Sequence, residues 1–164
     1  MHQEQFQTLI SQVTGVISGR PLDDALERVL AERFPVGGEL FTRLVAACAE
    51  GIADGWMCSQ EAGGIRYGRV VKPSPATHGF SVDVVQMKDV QGPYHRHPQG
   101  EIDLVMPRTP SAKFDGRGAG WCVYGPESAH FPTVTEGEAW VLYLLPQGAI
   151  DFKAKPSPAE RGKG

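Results

Sequence analysis

Apolar residues recur every three or four positions through the first third of the chain, then switch from Trp56 onward to alternation and short apolar runs. Phe6, Leu9, Ile10, Val13 and Ile17 form one helical stripe, which Gly19 ends. A second stripe, Leu22, Ala25, Leu26, Val29 and Leu30, predicts a helix with Pro21 at its first position. Asp23 and Asp24 then fall in its first turn, where the helix dipole favours acids, and "FPVGG" closes it. The third stripe, Leu40, Phe41, Leu44, Val45, Cys48 and Ile52, runs to "ADG". None of the three stripes holds an unexplained polar group, so these helices read as a cover for a sheet or a dimer contact.

Past Trp56, glycines and prolines interrupt short segments rich in Val, Ile, Tyr and Phe. The pattern predicts strands near 65–72, 80–88, 93–97, 101–106, 112–115, 120–124, 130–134 and 138–146, with a hairpin turn at Asp115-Gly116. Many short strands without helices between them point to an antiparallel barrel or jelly roll rather than a doubly wound sheet. The expected organisation is a helical region over 1–55, a β-barrel over 56–152 and a polar, Pro-rich flexible tail over 153–164.

Composition narrows the function. A chain of 164 residues suits one domain with a proper core, and a net charge of −3 with mixed signs gives no footprint for nucleic acid. Three cysteines without CxxC spacing read as free buried thiols of a reducing compartment. The N-terminus has no basic or apolar leader, and no apolar run is long enough for a membrane, so a cytoplasmic protein is expected.

The chemistry concentrates in "PYHRHPQGEIDLVMP", residues 93–107. On a strand His95 and His97 point one way and Arg96 the other, and Glu101 begins the next strand after a "PQG" turn. If the two strands form a hairpin, two imidazoles and a carboxylate meet on one face. His130, beyond the turn "YGPESA", supplies a fourth group if its strand lies alongside. Three His and one Glu suit a divalent Fe, Mn, Ni or Zn ion, and do not suit calcium or a thiolate-bound zinc. The bland alternative is a polar turn rich in histidine. His2 and His78 lack such company and are expected in solvent or loops.

These residues resemble the cupin superfamily. Gly92, His95, His97 and Glu101 match its first motif, and "GWCVYGPESAHFP", opened by Gly120 and closed by His130, is similar to its second. The gap from Gly92 to His95 is shorter than usual, the closing glycine of the first motif is delayed to Gly116, and the asparagine that often follows the last histidine is absent. The resemblance implies a cupin-type antiparallel barrel with the N-terminal three-helix cap outside it. Over nearly the whole chain, the segments "GPYHRHPQGEIDLVMP" and "FDGRGAGWCVYGPESAHFPTVTEGEAWVLYLLPQGAIDF" are similar to small bacterial 4-hydroxylaminobenzoate lyases. That resemblance implies conversion of 4-hydroxylaminobenzoate and water to 3,4-dihydroxybenzoate and ammonia.

Such a reaction is redox-neutral overall, and no dinucleotide or phosphate-loop fingerprint is present. A Lewis-acidic ion suits it, either by assisting departure of the hydroxylamine oxygen or by acidifying water. Glu101, Asp103 and Glu127 are the acid–base candidates. In "IRYGRVV", Ile65, Tyr67, Arg69 and Val71 share the more apolar face, so Arg69 is the expected clamp for a small aromatic carboxylate, with Arg66 solvated. A bulge at Gly68 reverses that choice, and a structural ion pair is the competing explanation. Tyr94 and Tyr143 are the candidate ring contacts among Trp56, Tyr94, Trp121, Trp140 and Tyr143; alternation lets only one of Trp140 and Tyr143 face the interior. Other readings are an Fe-dependent dioxygenase, an isomerase, or a non-catalytic binding cupin. Exposed strand edges and helices lead us to expect a homodimer.

Overall fold

The computed structural model describes residues 3–158. His2 and residues 159–164 of the expected tail lie outside the described residues.

Three helices come first: α1 (Gln3–Ile17), α2 (Asp24–Arg33) and α3 (Glu39–Asp54). The α1 stripe Phe6, Leu9, Ile10, Val13 and Ile17 is buried throughout. α2 starts three residues later than Pro21 implied. Asp23 takes an extended conformation and its side chain accepts from the Leu26 N–H at 2.9 Å, which makes it the cap rather than a first-turn residue. α3 stops at Gly55, whose φ of 85° is left-handed.

Among the described residues nine strands follow: β1 (Gln60–Ala62), β2 (Ile65–Val71), β3 (Phe80–Gln91), β4 (His95–His97), β5 (Glu101–Pro107), β6 (Lys113–Phe114), β7 (Gly120–Tyr124), β8 (Ser128–His130) and β9 (Thr133–Pro146). A 3₁₀ turn (Pro75–Thr77) lies between β2 and β3. All pairings are antiparallel. Seven strands form one sheet in the order β1-β2-β3-β9-β5-β7, with β6 also on β9, while β4 and β8 pair with each other in a separate small sheet. The architecture is the expected mainly-β, jelly-roll type with three N-terminal helices.

Alternation assigns the two faces of the large sheet. Val82, Val84, Ile102, Leu104, Met106, Trp140, Leu142 and Leu144 pack with the helices in one core. Val85, Met87, Val105, Cys122, Val141 and Tyr143 form a second core on the opposite face, with Phe114 and Val134. Both faces of β5 are covered, which explains its uninterrupted burial from Glu101 to Met106. Tyr143 therefore belongs to the inner face and Trp140 to the helix side, where Arg108 lies 4.2 Å above its ring.

Two strand expectations change. The segments 130–134 and 138–146 are not separate strands: β9 runs continuously through Glu136 (φ 61°) and Gly137 (φ 131°). The register with β3 jumps from Lys88↔Glu138 to Val90↔Val134, so these residues make a bulge instead of a break. Nor do β4 and β5 form a hairpin. Gly100, at φ 89°, carries the chain from the small sheet across to the large one, and β4 pairs with β8 instead.

Candidate metal centre

The β4–β8 register sets His95 directly opposite His130 and His97 opposite Ser128. Glu101 opens β5 on the inner face of the large sheet. One ligand atom from each of His95, His97, Glu101 and His130 lies within 4.8 Å of the others. The His97 Nε2 is 3.3 Å and the His130 Nε2 3.9 Å from Glu101 Oε2, the His95 Nε2 is 3.8 Å from Oε1, and the Nε2 atoms of His95 and His130 are 3.2 Å apart.

Each ring is oriented from behind. His95 Nδ1–H donates to the Pro93 carbonyl at 3.2 Å. Ser128 Oγ donates to the Gly125 carbonyl at 2.6 Å, so toward His97 it acts as acceptor for Nδ1–H, at 2.9 Å. His130 Nδ1–H donates to Asp115 Oδ2 at 2.6 Å. With the protons on Nδ1, all three Nε2 lone pairs converge. Burial drives the His95 pKa down to about 4, keeping that ring neutral. Burial works to raise the Glu101 carboxyl, but the adjacent His97 imidazole counts for most among the groups that hold it below the ordinary carboxylate value. His97 Nε2 and both Glu101 oxygens are buried without a hydrogen-bond partner. Buried lone pairs and a carboxylate facing one another are costly unless a cation lies among them, and three nitrogens with one oxygen fit a first-row divalent ion.

Asp115 is the residue that sequence reasoning passed over. It was visible only as half of a turn, and its left-handed φ of 51° fits that role. Yet its carboxylate also accepts from the Tyr124 hydroxyl at 2.7 Å and, through Oδ1, from the Thr133 N–H at 3.0 Å. No periodicity marks a carboxylate that orients a histidine from across a loop. Ser128, behind His97, escaped notice for the same reason.

Beside the centre lies a pocket of about 530 Å³. Ile65, Tyr67, Arg69, Asp83, Val85, Met87 and Tyr143 line it from the large sheet, and Pro93, His95, Pro132, Ile150 and Phe152 from elsewhere. Arg69 faces this pocket with Ile65 and Tyr67, but Val71 does not: the bulge falls after Arg69, not at Gly68, and sends Val71 to the helix-side core. Arg69 Nε and Nη2 donate to Asp83 at 2.8 and 3.3 Å, and Nη2 also donates to the Gly148 carbonyl at 3.3 Å. The ion pair and the pocket position thus coexist.

The remaining candidates separate. Asp103 is fully buried on the metal-facing side of β5, with neither oxygen hydrogen-bonded; burial, and then the Glu101 charge, push it well above the ordinary carboxylate range. Tyr94 leaves the pocket and packs on Phe131, with ring centres 5.0 Å apart. Glu127 is not brought to the cluster. It is largely exposed and pairs with Arg96, which strand alternation turns away from His95 and His97. His78 is exposed, as expected, with Nδ1 2.9 Å from the Thr14 hydroxyl. The three thiols are free and buried, and burial raises Cys48 to about 12 and both Cys58 and Cys122 to about 11. Among the described residues, no helix is long and apolar enough to cross a membrane.

Comparison with known proteins adds a lineage to this geometry. The model of the family described as "PnbB: 4-hydroxylaminobenzoate lyase" matches residues 8–152. A 4-hydroxylaminobenzoate lyase of Nocardioides sp. (strain LMS-CY) is 33% identical over 153 residues, 88% of this chain and 90% of the relative. Its counterpart in Pseudomonas putida is 32% identical over 149 residues, 79% of this chain and 85% of the relative. Among solved structures, an RmlC-like cupin protein from Ralstonia eutropha JMP134 shares 10% identity over 54% of this chain and 59% of that one, with a TM-score of 0.40.

Proposed function

The chain belongs to the 4-hydroxylaminobenzoate lyase family, and from that premise we propose that it converts 4-hydroxylaminobenzoate and water to 3,4-dihydroxybenzoate and ammonia. The observation that carries the reading is a convergent donor set of three imidazoles and one carboxylate at the wall of an apolar pocket that also holds a guanidinium. His95, His97, Glu101 and His130 would hold a divalent ion, of the Fe, Mn, Ni or Zn kind, which supplies Lewis acidity for N–O cleavage and for the use of water.

The protein's own groups account for binding. The inner-face side chains Ile65, Val85, Met87 and Tyr143 offer an apolar bed for a flat ring. Arg69 is the carboxylate partner: its bonds to Asp83 and the Gly148 carbonyl hold the guanidinium in the pocket wall through Nε and Nη2 and do not use Nη1. With Glu101 engaged as a ligand and Glu127 paired outside, Asp103 is the acid–base candidate, set beside Glu101 in the same buried row.

The test is direct. Purified protein incubated with 4-hydroxylaminobenzoate should release one ammonia per 3,4-dihydroxybenzoate without consuming oxygen. Stoichiometric oxygen uptake would instead assign the centre to a dioxygenase, and no turnover of any hydroxylamino aromatic acid would leave only a binding protein. An Arg69→Gln variant should raise KM more than it lowers kcat.

A further inference from the structure

After β9 the chain turns back through Gly148 and Ala149 and adds one more residue to the small sheet. Arg96 and Asp151 exchange both backbone hydrogen bonds, each at 2.9 Å, and an Arg96–Asp151 ion pair at 3.4 Å reinforces them. In an antiparallel bridge centred on this pair, Phe152 stands across from His95 and Ile150 across from His97. Side chains flanking Asp151 point opposite to it, and both Ile150 and Phe152 line the pocket. The Phe152 ring centre lies 5.4 Å from that of His95, at a 58° tilt.

Phe152 is 59% exposed although it is large and apolar. The hydrophobic cores do not include it, and its backbone is fixed by the bridge next to it. A solvated aromatic ring at the lip of an apolar pocket, on backbone tethered by that bridge, has area to gain only when something covers it.

We propose that Phe152 is a specificity-determining residue whose ring packs against the aromatic ring of the substrate beside the metal-ligand His95. The inference rests on the pocket being the substrate site, as proposed above, and not on which bond is broken there. It makes the segment after β9 part of the site.

Titration calorimetry with two unreactive acids of similar size, benzoate and cyclohexanecarboxylate, tests this on the metal-loaded protein. Wild type should bind benzoate about three- to tenfold more tightly, the range expected of one aromatic–aromatic contact. Phe152→Leu keeps apolar bulk but no ring. It should abolish the preference while changing cyclohexanecarboxylate affinity less than about twofold and leaving metal content intact. Phe152→Ala should weaken both acids and likewise lose the preference. Retention of the benzoate preference in Phe152→Leu would overturn the proposal, as would wild type that binds neither acid. Wild type that shows the preference yet releases no ammonia upholds the role of Phe152 and sinks the reaction instead.

Discussion

Replacing Asp115 with asparagine exchanges one oxygen for an NH₂ group and tests the whole logic of the centre. In the native protein Oδ2 accepts from His130 Nδ1–H and from the Tyr124 hydroxyl, while Oδ1 accepts from the Thr133 N–H. An amide has one oxygen to offer where the carboxylate has two. If that oxygen faces His130, the amide NH₂ meets the Thr133 N–H, and a half-buried donor goes unpaired at a cost of about 1–3 kcal/mol. If instead the NH₂ faces His130, the imidazole must accept through Nδ1, and its proton moves to Nε2, the atom aimed at the ligand cluster. Either arrangement also removes a charge-assisted bond about twice as strong as its neutral substitute. The expected outcome is a loss of metal affinity of about 10–100-fold, the scale set by groups that orient a ligating histidine. At about 1.4 kcal/mol per decade that is roughly 1.4–2.8 kcal/mol. Competition for zinc against a chromophoric chelator measures it, with circular dichroism as the check that the fold persists. Wild-type zinc affinity in a folded Asp115→Asn protein would refute the claim that this carboxylate sets the His130 tautomer.

Removal of the ligands themselves should be more severe: His95→Ala and His130→Ala should each lower metal occupancy at least about tenfold in elemental analysis, and unchanged occupancy in both would remove the site. Gly100→Ala should destabilise by about 2–3 kcal/mol in urea unfolding, because its φ of 89° disfavours a side chain and the new Cβ would sit 2.8 Å from the Tyr124 carbonyl. Glu27 accepts from Arg117 at 2.9 and 2.7 Å and from the Val123 N–H at 2.9 Å, tying α2 to β7. Burial opposes its ionisation, but Arg117 and Val123 prevail and hold its pKa below the ordinary value. A depressed carboxylate stabilises above its unfolded pKa and loses that contribution as pH falls through the folded value. Glu27→Gln should therefore flatten the decline of Tm below about pH 5, and an unchanged slope there would show that the contact is not energetically coupled to folding.

How much of the structure is legible in the chain depends on the range of each signal. The three helical stripes and the shared face of His95 and His97 are local periodicities, and they survive folding. The partner of β4 is another matter. A three-residue strand of charged and polar side chains carries no preference for β5 over β8, and the conformation of Gly100 decides it. The face of Arg69 came out as alternation implied, because the bulge begins one step after it; Val71, just past the bulge, did not. Tyr94 stands next to His95, on the side that alternation gives to Arg96, and it packs on Phe131 instead of entering the pocket. Asp115, Ser128 and Phe152 were illegible for one reason: each meets its histidine through pairing of distant segments, and nothing local marks the encounter.

The donor set is divided between layers: Glu101 comes from the seven-stranded sheet, and the three imidazoles come from β4 and β8. A two-stranded ribbon with three residues on each side is too short to persist unaided in water. An ion seated there would rivet the ribbon to the main sheet, so loading and folding become one linked equilibrium. Free ion at a hundred times its dissociation constant would add about 2.7 kcal/mol to the folded state, and the melting temperature would climb with the logarithm of its concentration. Chelation should then loosen β4, β8 and the pocket wall well before it disturbs the helices.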